Sequence, residues 1–158
     1  MKNSLKLLMF FVIILVGVTI VCGQDFKYKQ DPFDKDKVTI HDSYGNLVGW
    51  YKVDPFDRAK INVYDSYGNL VRTEKNDAFD SSKRDSYDSY GNKKGSVKRD
   101  AFNSRRENIT DKYGNITGYR EDDAFDKNKI NVFNQYGTQI GYYKRDVFTN
   151  DWEYFSIP

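Results

Sequence analysis

The stretch KVDPFDRAKINVYDSYGNLVRTE, residues 52–74, decides the fold, because its pattern recurs every 23 residues along the chain. Five full copies and one partial copy follow one another without an insertion or a deletion, and they begin at Lys29, Lys52, Lys75, Lys98, Glu121 and Lys144. A fixed period of this length indicates a repeat architecture, in which each copy is one supersecondary unit.

Each copy contains two turn signals with a β-type run between them. Asp-Ser-Tyr-Gly at residues 65–68 suits a type I turn followed by a glycine in the left-handed conformation, which makes a three-residue hairpin loop with a bulge. Asp-Pro-Phe-Asp at residues 54–57 places Pro55 at the second turn position, where its fixed φ fits. The segment 60–64 alternates as a strand does, and glycine, Asn, Asp and β-branched residues recur too often for a helix.

Two short strands and two turns per copy predict an all-β chain of tandem β-hairpins. The preferred form is an elongated antiparallel meander or solenoid-like sheet, because repeats that touch only their neighbours form open arrays. The alternative is a closed β-barrel, which would remove the exposed sheet edges. The predicted organisation is a signal peptide at 1–23, a lead-in at 24–28, five repeats at 29–143, and a partial repeat with a C-terminal cap at 144–158.

Aromatic side chains are expected to form much of the core, because the chain has few leucines and aromatic rings bury large areas. The turn aromatics should stack in two stripes, Phe33, Phe56, Phe79, Phe102, Phe125 and Phe148 at one turn and Tyr44, Tyr67, Tyr90, Tyr113 and Tyr136 at the other. Branched aliphatic residues should line one strand face: Val38, Ile40, Ile61, Val63, Ile109, Ile130 and Val132. The third copy has Arg84 and Ser86 at two of these positions, so it is expected to be the least stable.

The first 23 residues predict export. Lys2 and Lys6 precede an apolar run, Leu7–Val21, which is shorter than the ~20 residues of a spanning helix. Cleavage is predicted between Gly23 and Gln24. The protein is therefore expected to be secreted or extracytoplasmic, with no membrane span after cleavage. The alternatives are an uncleaved anchor and, less favoured, lipidation of the cysteine at position 22.

Composition excludes several classes of function. From residue 24 onward the chain has 23 basic and 23 acidic side chains, so no nucleic-acid partner is expected. The only cysteine is Cys22 and the only histidine is His41, which excludes a disulfide framework, a Cys/His zinc site and thiol catalysis. Carboxylate pairs recur in every copy, whereas an active site is normally singular. We therefore expect no enzyme activity, and a glycan hydrolase is the least favoured alternative.

Aromatic residues on the other strand face are the candidate ligand contacts. They would point away from the aliphatic face, where they could stack on sugar rings or else cover the second face of a thin sheet. This set is Trp50, Tyr64, Tyr87, Tyr119, Phe133 and Tyr142.

Three further features have alternatives of their own. No cofactor is expected, and calcium is the alternative, since the acidic turns could supply oxygen ligands. Residues 75–120 carry a net charge of +4, which fits a solvated surface better than a docking site for an anionic polymer or a membrane. Asn108 and Asn115 are glycosylation acceptors only in a eukaryotic host.

Turn chemistry supplies a resemblance to known repeats. Tyr64-Asp65-Ser66-Tyr67-Gly68-Asn69 resembles the turn of bacterial YD-repeat proteins, and the 23-residue hairpin period resembles that of MORN-type repeats. The rhythm of aromatic residues and glycines is similar to that of choline-binding cell-wall repeats. The resemblance extends from Lys29 to about Phe148 and implies an exported β-hairpin repeat protein. It transfers no functional residue.

Together these observations predict a secreted, non-catalytic repeat protein that acts as a multivalent binding or surface-interaction module. Polysaccharide or a cell-envelope component is the expected ligand class, and weak contacts copied in each repeat would add through high effective concentration. The alternative, from another class, is a structural spacer or assembly subunit that pairs through its sheet edges.

Overall fold

The computed structural model describes residues 24–158, and the predicted signal peptide lies outside them. These residues form twelve β-strands in chain order. The strands are β1 Phe26–Gln30, β2 Lys37–Asp42, β3 Leu47–Val53, β4 Lys60–Asp65, β5 Leu70–Asn76, β6 Lys83–Asp88, β7 Lys93–Arg99, β8 Arg106–Asp111, β9 Ile116–Asp122, β10 Lys129–Asn134, β11 Gln139–Arg145 and β12 Trp152–Ser156. Across the described range the chain contains no helical segment with the length and apolar character of a membrane span.

The strands form a closed antiparallel barrel. Each strand pairs with the next along the chain, and β12 pairs with β1. This seam has three residue pairs, Phe26 with Tyr154, Lys27 with Glu153 and Tyr28 with Trp152. The all-β hairpin meander is confirmed, and the closed barrel that was the alternative is found instead of the open array. The right-handed twist between neighbouring strands accumulates over the meander and brings the first and last strands together.

The Asp-Ser-Tyr-Gly motif forms the predicted hairpin turn. Asp65 Oδ1 accepts hydrogen bonds from the backbone N–H groups of Tyr67 at 2.9 Å and Asn69 at 2.8 Å. Gly68 has φ 89°, a conformation that side chains other than glycine's rarely adopt. A β-bulge between Val63 and Tyr64 accompanies the turn. All five such turns join an even-numbered strand to the next one, so they lie at one end of the barrel, which we call the tyrosine rim.

The Asp-Pro/Ala-Phe motif forms the connections at the opposite end. Asp54 Oδ1 accepts from the N–H groups of Phe56 and Asp57, at 2.9 and 3.2 Å, and the Lys60 N–H donates to the Asp57 carbonyl. Six connections have a phenylalanine at the same place, and they link each odd-numbered strand to the next. We call this end the phenylalanine rim.

The inward face of the barrel is apolar on one side. Its buried residues are Tyr28, Val38, Ile40, Tyr51, Ile61, Val63, Val132, Tyr143, Trp152 and Tyr154. The predicted aliphatic strand face is therefore the lumen face, with Ile130 packed against the cluster. The predicted aromatic core is correct only for strand residues such as Tyr51, which is 1% exposed.

The prediction that the turn aromatics stack in the core is wrong. The six rim phenylalanines are 92–101% exposed and the five rim tyrosines 77–90% exposed. Turn tips extend beyond the last strand pair, where no other part of the described chain can cover them. Their hydrophobicity suggested burial, but their position in the turn decides the outcome.

Candidate functional site

The tyrosine rim presents five identical side chains on one rigid frame. Asp42 accepts hydrogen bonds from the N–H groups of Tyr44 and Asn46, and the Asn46 side-chain amide donates to its second carboxylate oxygen at 2.9 Å. The hydrogen bonds from the Asn46 side chain, followed by those from backbone N–H groups, lower the pKa of Asp42. The carboxylate therefore stays charged at neutral pH and fixes the loop that holds the Tyr44 ring in solvent.

Rim tyrosines leave their ring faces to solvent because each loop projects separately. Tyr44, Tyr67, Tyr90 and Tyr136 are 83–90% exposed, and Tyr113, with Lys112 Nζ at 4.8 Å from its ring centre, is 77% exposed. A free aromatic face beside carboxylate and amide groups can stack on a sugar ring and hydrogen-bond its hydroxyls. The tyrosine rim thus has the chemistry that the sequence analysis assigned to another set of aromatics.

That predicted set lies on the outer wall of the barrel, largely in stacked pairs. Trp50 stacks on Tyr64 with ring centres 5.6 Å apart, and Tyr119 stacks on Phe133 at 4.7 Å. The remaining two members also face neighbours across strands. Tyr142 stacks on Phe155 at 5.1 Å, and Tyr87 lies opposite Thr73.

Cations approach the same wall rings from the adjacent strand. Arg106 lies over Tyr119 with its guanidinium carbon 4.0 Å from the ring centre. Lys37 and Lys129 lie over Trp50 and Tyr142 at 5.3 and 5.0 Å. Stacking and cation–π contact use ring faces that a sugar would need, so these residues mainly stabilise the wall.

The other side of the lumen holds a cluster of charged side chains. Its members, which replace the apolar residues or glycine of other copies, are Arg72, Glu74, Arg84, Glu107 and Arg120. Arg120 is 3% exposed and donates from Nε to Glu107 Oε2 at 2.7 Å. Arg84 donates from Nε to Asn76 Oδ1 at 2.7 Å, and burial lowers its pKa to about 10.

Glu74 is the most deeply buried acid of this cluster. Its side chain is 1% exposed, and Arg72 Nε lies 3.3 Å from one carboxylate oxygen. Burial raises the pKa of Glu74 to about 7, and the nearby arginines offset only part of that effect. A carboxyl group with this pKa changes its charge near neutral pH. Among the described residues, no nucleophile or base is hydrogen-bonded to Glu74 to form a catalytic pair.

The acidic turns at the phenylalanine rim bind their own backbone and neighbouring lysines. Asp54 accepts from Phe56 N–H and from the Asn62 side-chain amide, and these bonds lower its pKa to about 2. Within residues 24–158, no three His, Cys, Asp or Glu side chains converge in a way that could hold a metal ion. The carboxylate of Asp54 therefore serves to form its turn.

Sheet edges are not free in the described barrel, because both neighbours of every strand are hydrogen-bonded to it. The predicted lead-in and cap belong to this closure, since residues 26–30 and 152–156 are wall strands. Assembly through sheet edges would therefore require the seam to open.

Comparison with known proteins reveals a similar fold. No protein-family model matches the chain, and no curated protein matches it by sequence. The X-ray structure of a protein from Arabidopsis thaliana is similar to this barrel, with a TM-score of 0.63 and 13% sequence identity. The similarity covers 85% of this chain and 82% of that one. At this identity it shows a shared fold alone, and the likeness to YD and MORN repeats rests on turn residues.

Sequence reasoning missed the exposed rims and the charged lumen, although both left signals. A Phe or Tyr at the tip of every turn was visible, but it was interpreted as core. The charged cluster was visible as departures from the repeat, because Arg84 and Glu107 occupy the place of Val38 and Ile61. Strand alternation then assigns them to the lumen once the barrel is closed.

Proposed function

We propose that this chain is a secreted, non-catalytic binding module that attaches to polysaccharide through its tyrosine rim. The observation that carries the proposal is that five tyrosines at equivalent turns project from one end of the barrel and are 77–90% exposed. Export is supported by the basic start and the apolar run within residues 1–23. The ligand class expected from the sequence is polysaccharide or a cell-envelope component, and this proposal takes the polysaccharide.

Repetition of the contact supports a polymer as the ligand. A single stacked ring contributes a weak interaction, but five at one end can engage successive sugars of one chain or several neighbouring chains. The turns hold their tyrosines without help from the ligand, since an aspartate or asparagine fixes each loop through hydrogen bonds such as those of Asp111 to Tyr113 and Asn115. Little ordering entropy is therefore lost on binding.

The test is co-sedimentation of the protein with insoluble polysaccharides and purified cell-wall material. The variants replace rim tyrosines with serine, one at a time, three at a time and all five together. The five positions are Tyr44, Tyr67, Tyr90, Tyr113 and Tyr136. We expect a stepwise loss of affinity as tyrosines are removed, and no retention of the fivefold variant. Because these rings are exposed, thermal unfolding of the variants should match that of the parent.

In the matched control, serine replaces the six rim phenylalanines, which lie at the opposite end of the barrel. This variant should bind polysaccharide as the parent does. Undiminished binding by the fivefold tyrosine variant would contradict the proposed site. If only replacement of Trp50 or Tyr64 abolished binding, the binding site would lie on the outer wall and not at the tyrosine rim.

A further inference from the structure

The phenylalanine rim carries an apolar surface that the barrel itself does not use. Its six members, Phe33, Phe56, Phe79, Phe102, Phe125 and Phe148, are 92–101% exposed. Rings of this size hold about 150–250 Å² each, so the six separate tips together expose on the order of 1,000 Å² of apolar surface. Their repetition at positions that contribute nothing to packing points to a surface that meets something else.

An apolar pocket opens inside this ring. It has a volume of about 220 Å³ and lies at the phenylalanine-rim end of the lumen. Tyr28, Val38, Tyr51 and Trp152 line it from the strands, and Asn150 borders it from the last rim loop. The part of this end of the lumen that lies beside β1, β2, β3 and β12 therefore presents apolar side chains, bordered by the polar Gln30, Thr149, Asn150 and Asp151.

Charged side chains lie between the phenylalanines and tie neighbouring loops together. Lys52 Nζ lies 2.6 Å from an Asp34 carboxylate oxygen, and Lys98 Nζ lies 2.8 Å from one of Asp80. The same kind of contact joins Lys75 to Asp57 of the preceding loop at 3.1 Å. These lysines keep 43–54% of their side-chain surface exposed, so they form a wet polar layer set back from the ring tips.

This layer has nearly balanced charge. The segments that form the rim contain 16 basic and 14 acidic side chains, counted over 29–37, 52–60, 75–83, 98–106, 121–129 and 144–152. Interleaved charges of both signs complement a zwitterionic headgroup layer and give little attraction to a strongly anionic or cationic partner.

We propose that the phenylalanine rim docks on the surface of a phospholipid bilayer with zwitterionic headgroups. The ring tips reach the boundary between headgroups and acyl chains, roughly 5–10 Å deep, while the ion-paired lysines and aspartates stay in the wet headgroup layer. A second copy of the chain fits less well, because two facing rims would bury these ion pairs on both sides at a desolvation cost. The lipid surface requires no match of spacing between the six separate tips.

The first experiment is flotation of residues 24–158 with vesicles of phosphatidylcholine alone, so that Leu7–Val21 cannot contribute. We expect binding that changes little between low and high salt, since it rests on apolar contact. Each Phe→Ser change should lower partitioning by about three- to tenfold, and the sixfold variant should not float. The fivefold Tyr→Ser variant is the matched control and should float as the parent does.

A reporter variant tests the depth and side of insertion independently of the sixfold variant. The fluorescence of a tryptophan introduced by Phe79→Trp should shift to a shorter emission wavelength on vesicles. Brominated phosphatidylcholine should quench this fluorescence. Tyr90→Trp, in the same repeat but at the opposite rim, should show neither change.

Three outcomes would overturn the proposal. The first is an absence of flotation by the parent protein. The second is flotation that requires anionic lipid and is lost in high salt, which would assign it to the basic residues near 98–106. The third is dimerisation in sedimentation equilibrium that the sixfold variant abolishes, without vesicle binding by the parent. Since the Phe→Ser variants leave the tyrosine rim untouched, polysaccharide binding stands or fails separately.

Discussion

Glu74 makes the stability of the barrel depend on pH near neutrality. Its carboxyl group is buried in the lumen, and burial raises its pKa from 4.5 to about 7. The folded protein therefore binds a proton that the unfolded chain has already released between these values. Stability from this group is fully present below about pH 4.5 and is lost as the pH rises to about 7. The shift corresponds to about 3 kcal/mol of unfolding free energy.

The assay compares urea unfolding of the parent and of Glu74→Gln across this pH range, followed by tryptophan fluorescence. Glutamine has nearly the shape of protonated glutamate and cannot ionise. The difference in unfolding free energy, parent minus variant, should fall by about 3 kcal/mol from pH 4.5 to pH 7 and then level off. Subtraction removes the titration of His41, whose pKa burial lowers, because both proteins share it.

Glu153→Gln is the matched control. Glu153 pairs with Lys27 on the outer wall at 3.1 Å, with both side chains partly exposed, so the same substitution there leaves the lumen untouched. A flat curve for Glu74→Gln would refute the reasoning. A curve that rises with pH would mean that attraction to Arg72 outweighs the cost of burying the charge.

Three further predictions concern the lumen and the turns. Arg120→Met should lower the unfolding free energy by about 3–5 kcal/mol because it removes a buried partner of Glu107. Adding Glu107→Met should restore much of the lost free energy, as measured in a double-mutant cycle. Gly45→Ala should lower the unfolding free energy by about 1–2 kcal/mol in the same urea assay, because the backbone there has a positive φ. Nothing lies within 4 Å of the added carbon, so no steric clash contributes. An unchanged urea midpoint would contradict this turn geometry. Asp54→Asn should unfold more readily than the parent above about pH 4, and the gap measured by thermal unfolding should close as the pH falls toward 2, because the parent gains stability from a carboxylate with a pKa of about 2.

Local chemistry made the strands and turns predictable from sequence. Asp65 and Gly68 specify their turn by hydrogen bonding and positive φ, which involve residues within four positions of each other. The alternation of Ile61 and Val63 likewise identified the buried strand face, and both residues line the lumen.

Closure and the rims were harder to predict because they depend on the whole molecule. The pairing of Phe26 with Tyr154 follows from tilt and twist summed over twelve strands, and no single repeat contains that information. The hydrophobicity of Phe79 suggested a core, but its turn lies beyond the reach of any described neighbour. Arg72 and Glu74 could be recognised as inward charges only after the wall was known to surround a lumen.

The short seam between β1 and β12 has a consequence for synthesis. The chain is made from its amino end, so its first strand must wait until residues 152–156 have been translated before its second edge is paired. Until then the nascent meander has two unsatisfied edges that invite pairing with other chains. A product that ends before Trp152 lacks the whole closing strand, so termination before that residue yields an open, aggregation-prone sheet.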